Sequence, residues 1–263
     1  MRLTILILAL GFCAGCGDDA DDDAGGWANG CGCAEGDSGG RTTFTPDKGT
    51  ATVKGVVTFE GEAPPRRPVD LGSEDVCIQY YEDREPLRSE AYVVGAGGGL
   101  ANVFVQVKTG LRDWTFPKAS GEVLLDQVGC RYTPHVVGMR AGQTLVARNG
   151  DPVMHNVHGF WAHNDREVMN WAQAKKGHED RKQMRKPGII RVTCNMHTWM
   201  VAYVCIARYP FFAVTDEAGA FTLPKLPAGT YTLEAWHEKL GKKTTTVTVA
   251  DGGTLDVNFT FAK

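Results

Sequence analysis

No run of lysines or arginines occurs in these 263 residues, and the formal net charge is only −3. The chain therefore has no electrostatic footprint for a nucleic acid or an acidic membrane surface. Long amphipathic helical patterns are scarce, which argues against a helical bundle. The one marked apolar run, residues 3–12, is too short to span a bilayer stably. What the chain has instead is 32 glycines and short alternating apolar segments between turn residues, with a hydrophobic content of 43 % that suffices for a globular core. That combination points to an all-β protein.

The start of the chain reads as an export segment. Arg2 precedes the apolar run, and Ala14-Gly15 stands directly before Cys16. These residues resemble a bacterial lipobox, which implies a signal peptide over 1–15 and lipid on the sulfur of Cys16. The usual leucine of that motif is replaced by Cys13, and an ordinary signal peptide is the alternative. Either way the mature chain is expected in the cell envelope, facing the periplasm or exterior, where disulfides persist. A lipid on Cys16 would hold it on the membrane. Residues 16–49 are acidic and glycine-rich, with the acidic run Asp18-Asp19-Ala20-Asp21-Asp22-Asp23 near their start, and are expected to form a disordered tether. Cys31-Gly32-Cys33 inside it reads as an incidental or redox-reactive pair.

Order is expected from Thr50. Between residues 51 and 59, Val53, Gly55, Val57 and Phe59 alternate with Thr52, Lys54, Val56 and Thr58, as in a half-buried strand. A second strand is expected over 101–108. Short strands with turns between them return from Phe212 to the end, the pattern of a β-sandwich. Thr215-Asp216 with Gly219 and Phe221, followed by Leu226-Pro227-Ala228-Gly229-Thr230-Tyr231-Thr232-Leu233, resembles carboxypeptidase regulatory-like (prealbumin-like) sandwiches. The resemblance implies one such domain, split into 50–111 and 209–263, with residues 112–208 inserted as a second sandwich. Strands are expected in the insert at 122–125, 136–138, 143–148, 188–194 and 201–207. Residues 161–187 are charged and rich in Met, Trp and Lys, and read as either a helix or a cover.

Two pieces of the insert carry chemistry. Met154-His155-Asn156-Val157 follows a strand, and Cys194-Asn195-Met196-His197-Thr198-Trp199-Met200 lies between two. A thiolate, two imidazoles and a distant thioether suit both Cu(I) and Cu(II). A thioether is uncharacteristic of zinc. Neither position 196 nor 198 holds the second cysteine that a binuclear copper centre would need. The Cys-x-x-His-x-x-Met spacing and the His155-Asn156-Val157 segment resemble the cupredoxins, the type 1 blue copper proteins of amicyanin and plastocyanin type. The resemblance implies a Greek-key β-sandwich with one type 1 copper on His155, Cys194, His197 and Met200. It also implies Asn156 hydrogen-bonded around the cysteine sulfur and tying the ligand loops, and His197 at the surface as the electron port.

The implied function is outer-sphere electron transfer between redox protein partners, not enzymatic catalysis. A copper-delivery protein and a non-redox envelope interaction module are the alternatives. Met196, His135, His158 and His163 are weaker candidates for metal contact, and His237 reads as structural. A disulfide between Cys77 and Cys130 is the leading pairing, with Cys205 as the competing partner, because connectivity cannot be read from sequence.

Overall fold

A computed structural model describes residues 40–263. The expected signal segment, the lipidated Cys16 and the Cys31/Cys33 pair lie outside the described residues. Among the described residues the first element is the strand Thr42–Thr43, ahead of the expected Thr50. The reason is a single aromatic anchor: Phe44 packs on Trp114, Phe116 and Phe211, with ring centroids 5.2–6.0 Å apart.

Chain segments from both ends build one sandwich. Its first sheet places Phe212–Val214, Phe104–Thr109, Gly229–His237 and Gly241–Val249 side by side. Its second pairs Thr52–Glu60 with Ala220–Thr222, Thr254–Asp256 and Phe259–Ala262. The period-2 pattern explains the burial: Val53, Val57 and Phe59 point inward, where they join Val105, Leu233, Phe221 and Phe261 in one core. Gly55 is required by a close approach, since a Cβ there would lie 1.8 Å from the carbonyl oxygen of Val257.

The residues between these segments form a second sandwich. One sheet orders Glu167–Gln173, His155–Trp161, Gly188–Thr193, Val201–Ala207 and Val136–Arg140. The other orders Glu179–Gln183, Thr144–Asn149, Glu122–Gln127 and Tyr132–Thr133. The segment 161–187 thus contains two strands and no helix. Met169 and Met184 from it are buried in the core with Leu125, Leu145, Val157 and Ile190. The exit of the second sandwich returns directly to the first: Phe212 pairs with Gln106, and the N–H of Val107 donates to the Phe211 carbonyl at 2.9 Å.

The strand Val201–Ala207 is apolar throughout because both of its faces are covered. Ala202, Val204 and Ile206 enter the second core, whereas Tyr203, Cys205 and Ala207 pack with Phe104, Phe212 and Trp236 of the first sandwich. Cys205 is a free thiol there, pushed far above its ordinary pKa by complete burial. A buried polar bridge reinforces the junction. His135 reaches Glu238 at 2.5 Å, and the Tyr203 hydroxyl donates to the same carboxylate at 3.1 Å.

His237, beside this bridge, sets an acid limit on stability. It is 1 % exposed, and its Nδ1 accepts from the Lys239 N–H at 3.3 Å, as a neutral imidazole does. Burial pushes its pKa from 6.5 down to about 4, with Glu238 opposing. The unfolded chain regains the higher value and binds a proton that the native state excludes. The group's contribution is therefore complete above pH 6.5 and is lost as pH falls toward 4, by about 3 kcal/mol. Urea unfolding across that window should give a shallower pH slope for His237→Gln than for the wild type; equal slopes would refute this assignment.

Candidate metal centre

Strand register brings the two chemical pieces together. Thr193 pairs with His158 and with Val201, so Cys194 leaves its strand beside Asn156 and enters the loop that returns at Val201. Two backbone bonds close this loop: the N–H of Cys194 donates to Met200 O at 3.3 Å, and that of Met200 donates to His197 O at 2.9 Å. His155 opens the neighbouring strand. As a result His155, Cys194 and His197 each offer a donor atom within 4.8 Å of the others, and all three are buried. The two Nδ1 atoms stand 2.9 Å apart, and Cys194 Sγ lies 3.9 Å from His197 Nδ1. Met200 is wholly buried and belongs to the same core cluster as Cys194 and Val204. Met196 is 54 % exposed, unlike the three buried donors.

The surroundings favour charge on the sulfur. Burial alone would raise the pKa of Cys194, but His155 and the backbone N–H groups of His197, Asn156 and Met196 outweigh it and hold the thiol below its ordinary value. The Asn156 and His197 amides lie 3.3 and 3.4 Å from Sγ. The Asn156 side chain accepts from the N–H of Asn195 at 3.4 Å and donates to Asn170 at 2.8 Å, linking the two ligand segments. Thus the main chain of Asn156 meets the sulfur, and its side chain ties the loops.

Asp151 is the functional residue that sequence reasoning missed. Its carboxylate takes the Gly129 and Cys130 N–H groups at 2.8 Å and His155 Nε2 at 2.9 Å. Burial would raise its pKa, but these bonds hold it below the usual range. In turn, burial would lower His155, yet Asp151 and Cys194 raise it. His197 is pushed down by burial and by the neighbouring His155, with Glu74 opposing. The arrangement orients His155 with Nε2–H on Asp151 and Nδ1 toward Cys194 and His197, so a metal cation taking these donors displaces a proton. The only sequence signal was a carboxylate four positions before His155 in a Pro-containing loop. Cys130, Asp151 and His155 also cluster, but the Cys130 sulfur is bonded to Cys77 and offers no thiolate.

The expected surface port is not there. His197 is 1 % exposed. Glu74, at the start of the helix Asp75–Tyr81, places a carboxylate oxygen 3.7 Å from His197 Nε2. The helix is pinned by the Cys77–Cys130 disulfide, and the Tyr81 hydroxyl donates to Gly129 O at 2.8 Å. The Tyr80 ring lies so close to Gly129 that a Cβ there would come within 2.5 Å, and the glycine sits at φ +66°. Trp199 stacks near His197 and donates to Cys130 O at 3.0 Å. The connection between the strands Thr52–Glu60 and Phe104–Thr109 thus folds over His197 and replaces solvent at the imidazole.

The other histidines are elsewhere. His135 is committed to Glu238, and His158 to Asn195 and Glu167. His163 borders a cleft at the far end of the second sandwich.

The sequence profile of the carboxypeptidase regulatory-like domain matches residues 202–262. No curated protein sequence matches the chain at a significant level. Among solved structures, a proline-to-glycine mutant of amicyanin in its reduced Cu(I) form at pH 4 aligns at 20 % identity with a TM-score of 0.30, over 34 % of this chain and 85 % of that one. A reduced tryptophan-to-tyrosine mutant of amicyanin gives 19 % identity and 0.30, over 33 % and 83 %. Amicyanin from Paracoccus versutus (Thiobacillus versutus) gives 21 % and 0.29, over 32 % and 80 %. Likeness at these scores is too slight to assign a fold.

Proposed function

We propose that His155, Cys194 and His197 hold a single type 1 copper ion with Met200 as axial thioether, and that the chain is an exported, lipid-anchored electron carrier acting between redox proteins. In this reading the second sandwich is a cupredoxin domain inserted in a prealbumin-like one. The observation that carries it is the donor set: one thiolate and two imidazoles, buried and converging within 4.8 Å, with a buried thioether at the end of the same loop. Copper bound there would supply a reversible one-electron couple.

The chain's own residues do the rest. The amides on Cys194 stabilise negative charge on sulfur, Asp151 fixes the tautomer of His155, and the Asn156 bridge keeps the loops in register. Small changes at the ligands favour fast transfer, and the rigid strands on either side supply that constraint. Because Glu74 and the helix Asp75–Tyr81 cover His197, a redox partner would dock on this cover and not on the imidazole. Burial of all three donors weighs against rapid metal exchange and hence against copper delivery.

The test is the absorption spectrum of the purified, copper-loaded chain. Intense visible thiolate-to-Cu(II) charge transfer with narrow copper hyperfine splitting is expected; weak, colourless copper binding would overturn the ligand set. The axial position has its own test. Met200→Leu should keep colour and raise the reduction potential, because a donor to Cu(II) is removed. A rise on the order of 60 mV corresponds to a tenfold change in relative affinity for the two oxidation states. An unchanged potential would remove Met200 from the ligands.

A further inference from the structure

A second site lies away from the metal centre. A cleft of about 620 Å³ opens where the second sandwich leaves and rejoins the first. Its volume is that of small-molecule sites. Ile189, on its wall, is the second residue of the strand Gly188–Thr193, which ends before Cys194, so roughly 16 Å of strand separates the two places.

The cleft combines apolar side chains with two arginines that have no ion-pair partner among the described residues. Trp236, Tyr209, Ile189 and Pro187 line one part. At its floor Glu234 is already satisfied: Gln106 donates to it at 2.9 Å, and Lys108 and Lys242 lie at 3.1 and 4.0 Å. Arg112 and Arg208, at the two joints of the inserted sandwich, also line the cleft. Among the described residues the arginines in ion pairs are Arg131, Arg148, Arg181 and Arg191; these two are not among them. A guanidinium is a planar fork that grips a carboxylate through two hydrogen bonds and stacks on aromatic faces. A polyphosphate fits poorly, since Glu234 sits in the same cleft and consumes the lysines. A cation is opposed by both arginines.

We propose that this cleft binds a small organic monocarboxylate with a planar apolar body, its carboxylate on Arg112 and Arg208 and its body against Trp236 and Tyr209. The site uses residues from both sandwiches and exists only because one is inserted in the other. It is independent of the metal reading.

Calorimetric titration of the full chain with benzoate, benzamide and inorganic phosphate tests it. Benzoate should saturate one site with a Kd on the order of 1 mM or below. Benzamide, without the charge, and phosphate, without the apolar body, should each bind at least about tenfold more weakly. Arg112→Gln and Arg208→Gln are exposed changes that leave the core intact, and each should weaken benzoate about tenfold. Equal binding of benzamide, equal binding of phosphate, absence of saturable benzoate binding, or benzoate affinity unchanged in both variants would each overturn the proposal.

Discussion

Cys194→Ser is expected to abolish the visible charge-transfer band of the copper-loaded protein and to lower copper affinity by more than the roughly 10–100-fold that loss of an outer-shell partner costs. The substitution is nearly isosteric, so the hairpin bond from residue 194 to Met200 O should persist and far-ultraviolet dichroism should not change. What disappears is the one soft anionic donor. The Asn156 and His197 amides that point at sulfur would then face a neutral hydroxyl, and the raised pKa of His155 would lose one of its two supports. Persistence of the band in this variant would place the thiolate elsewhere, and the loop would no longer be the metal centre.

Joint replacement of Cys77 and Cys130 by serine should have the largest effect on stability and on access. The disulfide closes a separation of 53 residues. In the chain-entropy model its removal costs about 4 kcal/mol, a large share of the stability of a typical domain. Urea unfolding of the copper-free protein should register the loss as a lower midpoint. The cover over His197 is held otherwise by the Tyr81 hydroxyl, by the packing of Tyr80 on Gly129 and by the weak approach of Glu74. Freed of the covalent tie, the helix Asp75–Tyr81 should open and expose the imidazole. A water-soluble Cu(I) chelator should then strip the reduced protein faster than wild type by at least about tenfold, the equivalent of 1.4 kcal/mol of lost protection. A lower midpoint with an unchanged stripping rate would mean that the helix stays in place without the bond, and that the cover is not opened by losing it.

The two readings that failed share a cause. His197 was expected at the surface because the sequence of a ligand loop says nothing about a segment more than a hundred positions earlier that folds across it. Residues 61–91 carry few apolar side chains and no periodicity, so nothing in them announces a lid. Their position is decided by one covalent bond and by a few side chains, among them Tyr81 and Glu74. The strand Thr42–Thr43 ahead of Thr50 escapes the sequence for a similar reason: one phenylalanine in a polar stretch finds an aromatic cluster built by distant residues. Asp151 was passed over because a lone carboxylate beside a proline is an ordinary turn residue until the Gly129–Cys130 amides are brought against it.

The sequence by itself determined the all-β character, because strand periodicity and turn residues are local properties that each segment carries alone. Local order also set the spacing of Cys194, His197 and Met200, since all three lie within one hairpin whose length is written in the chain. The pairing of Phe104–Thr109 with Gly229–His237, more than a hundred residues later, the approach of His155 to that hairpin, and the burial of His197 belong to tertiary structure. These depend on which apolar faces meet and on a disulfide for which the sequence offers Cys205 as a competing partner, and such choices are made by the packing of whole sheets, a free-energy balance that no single segment contains.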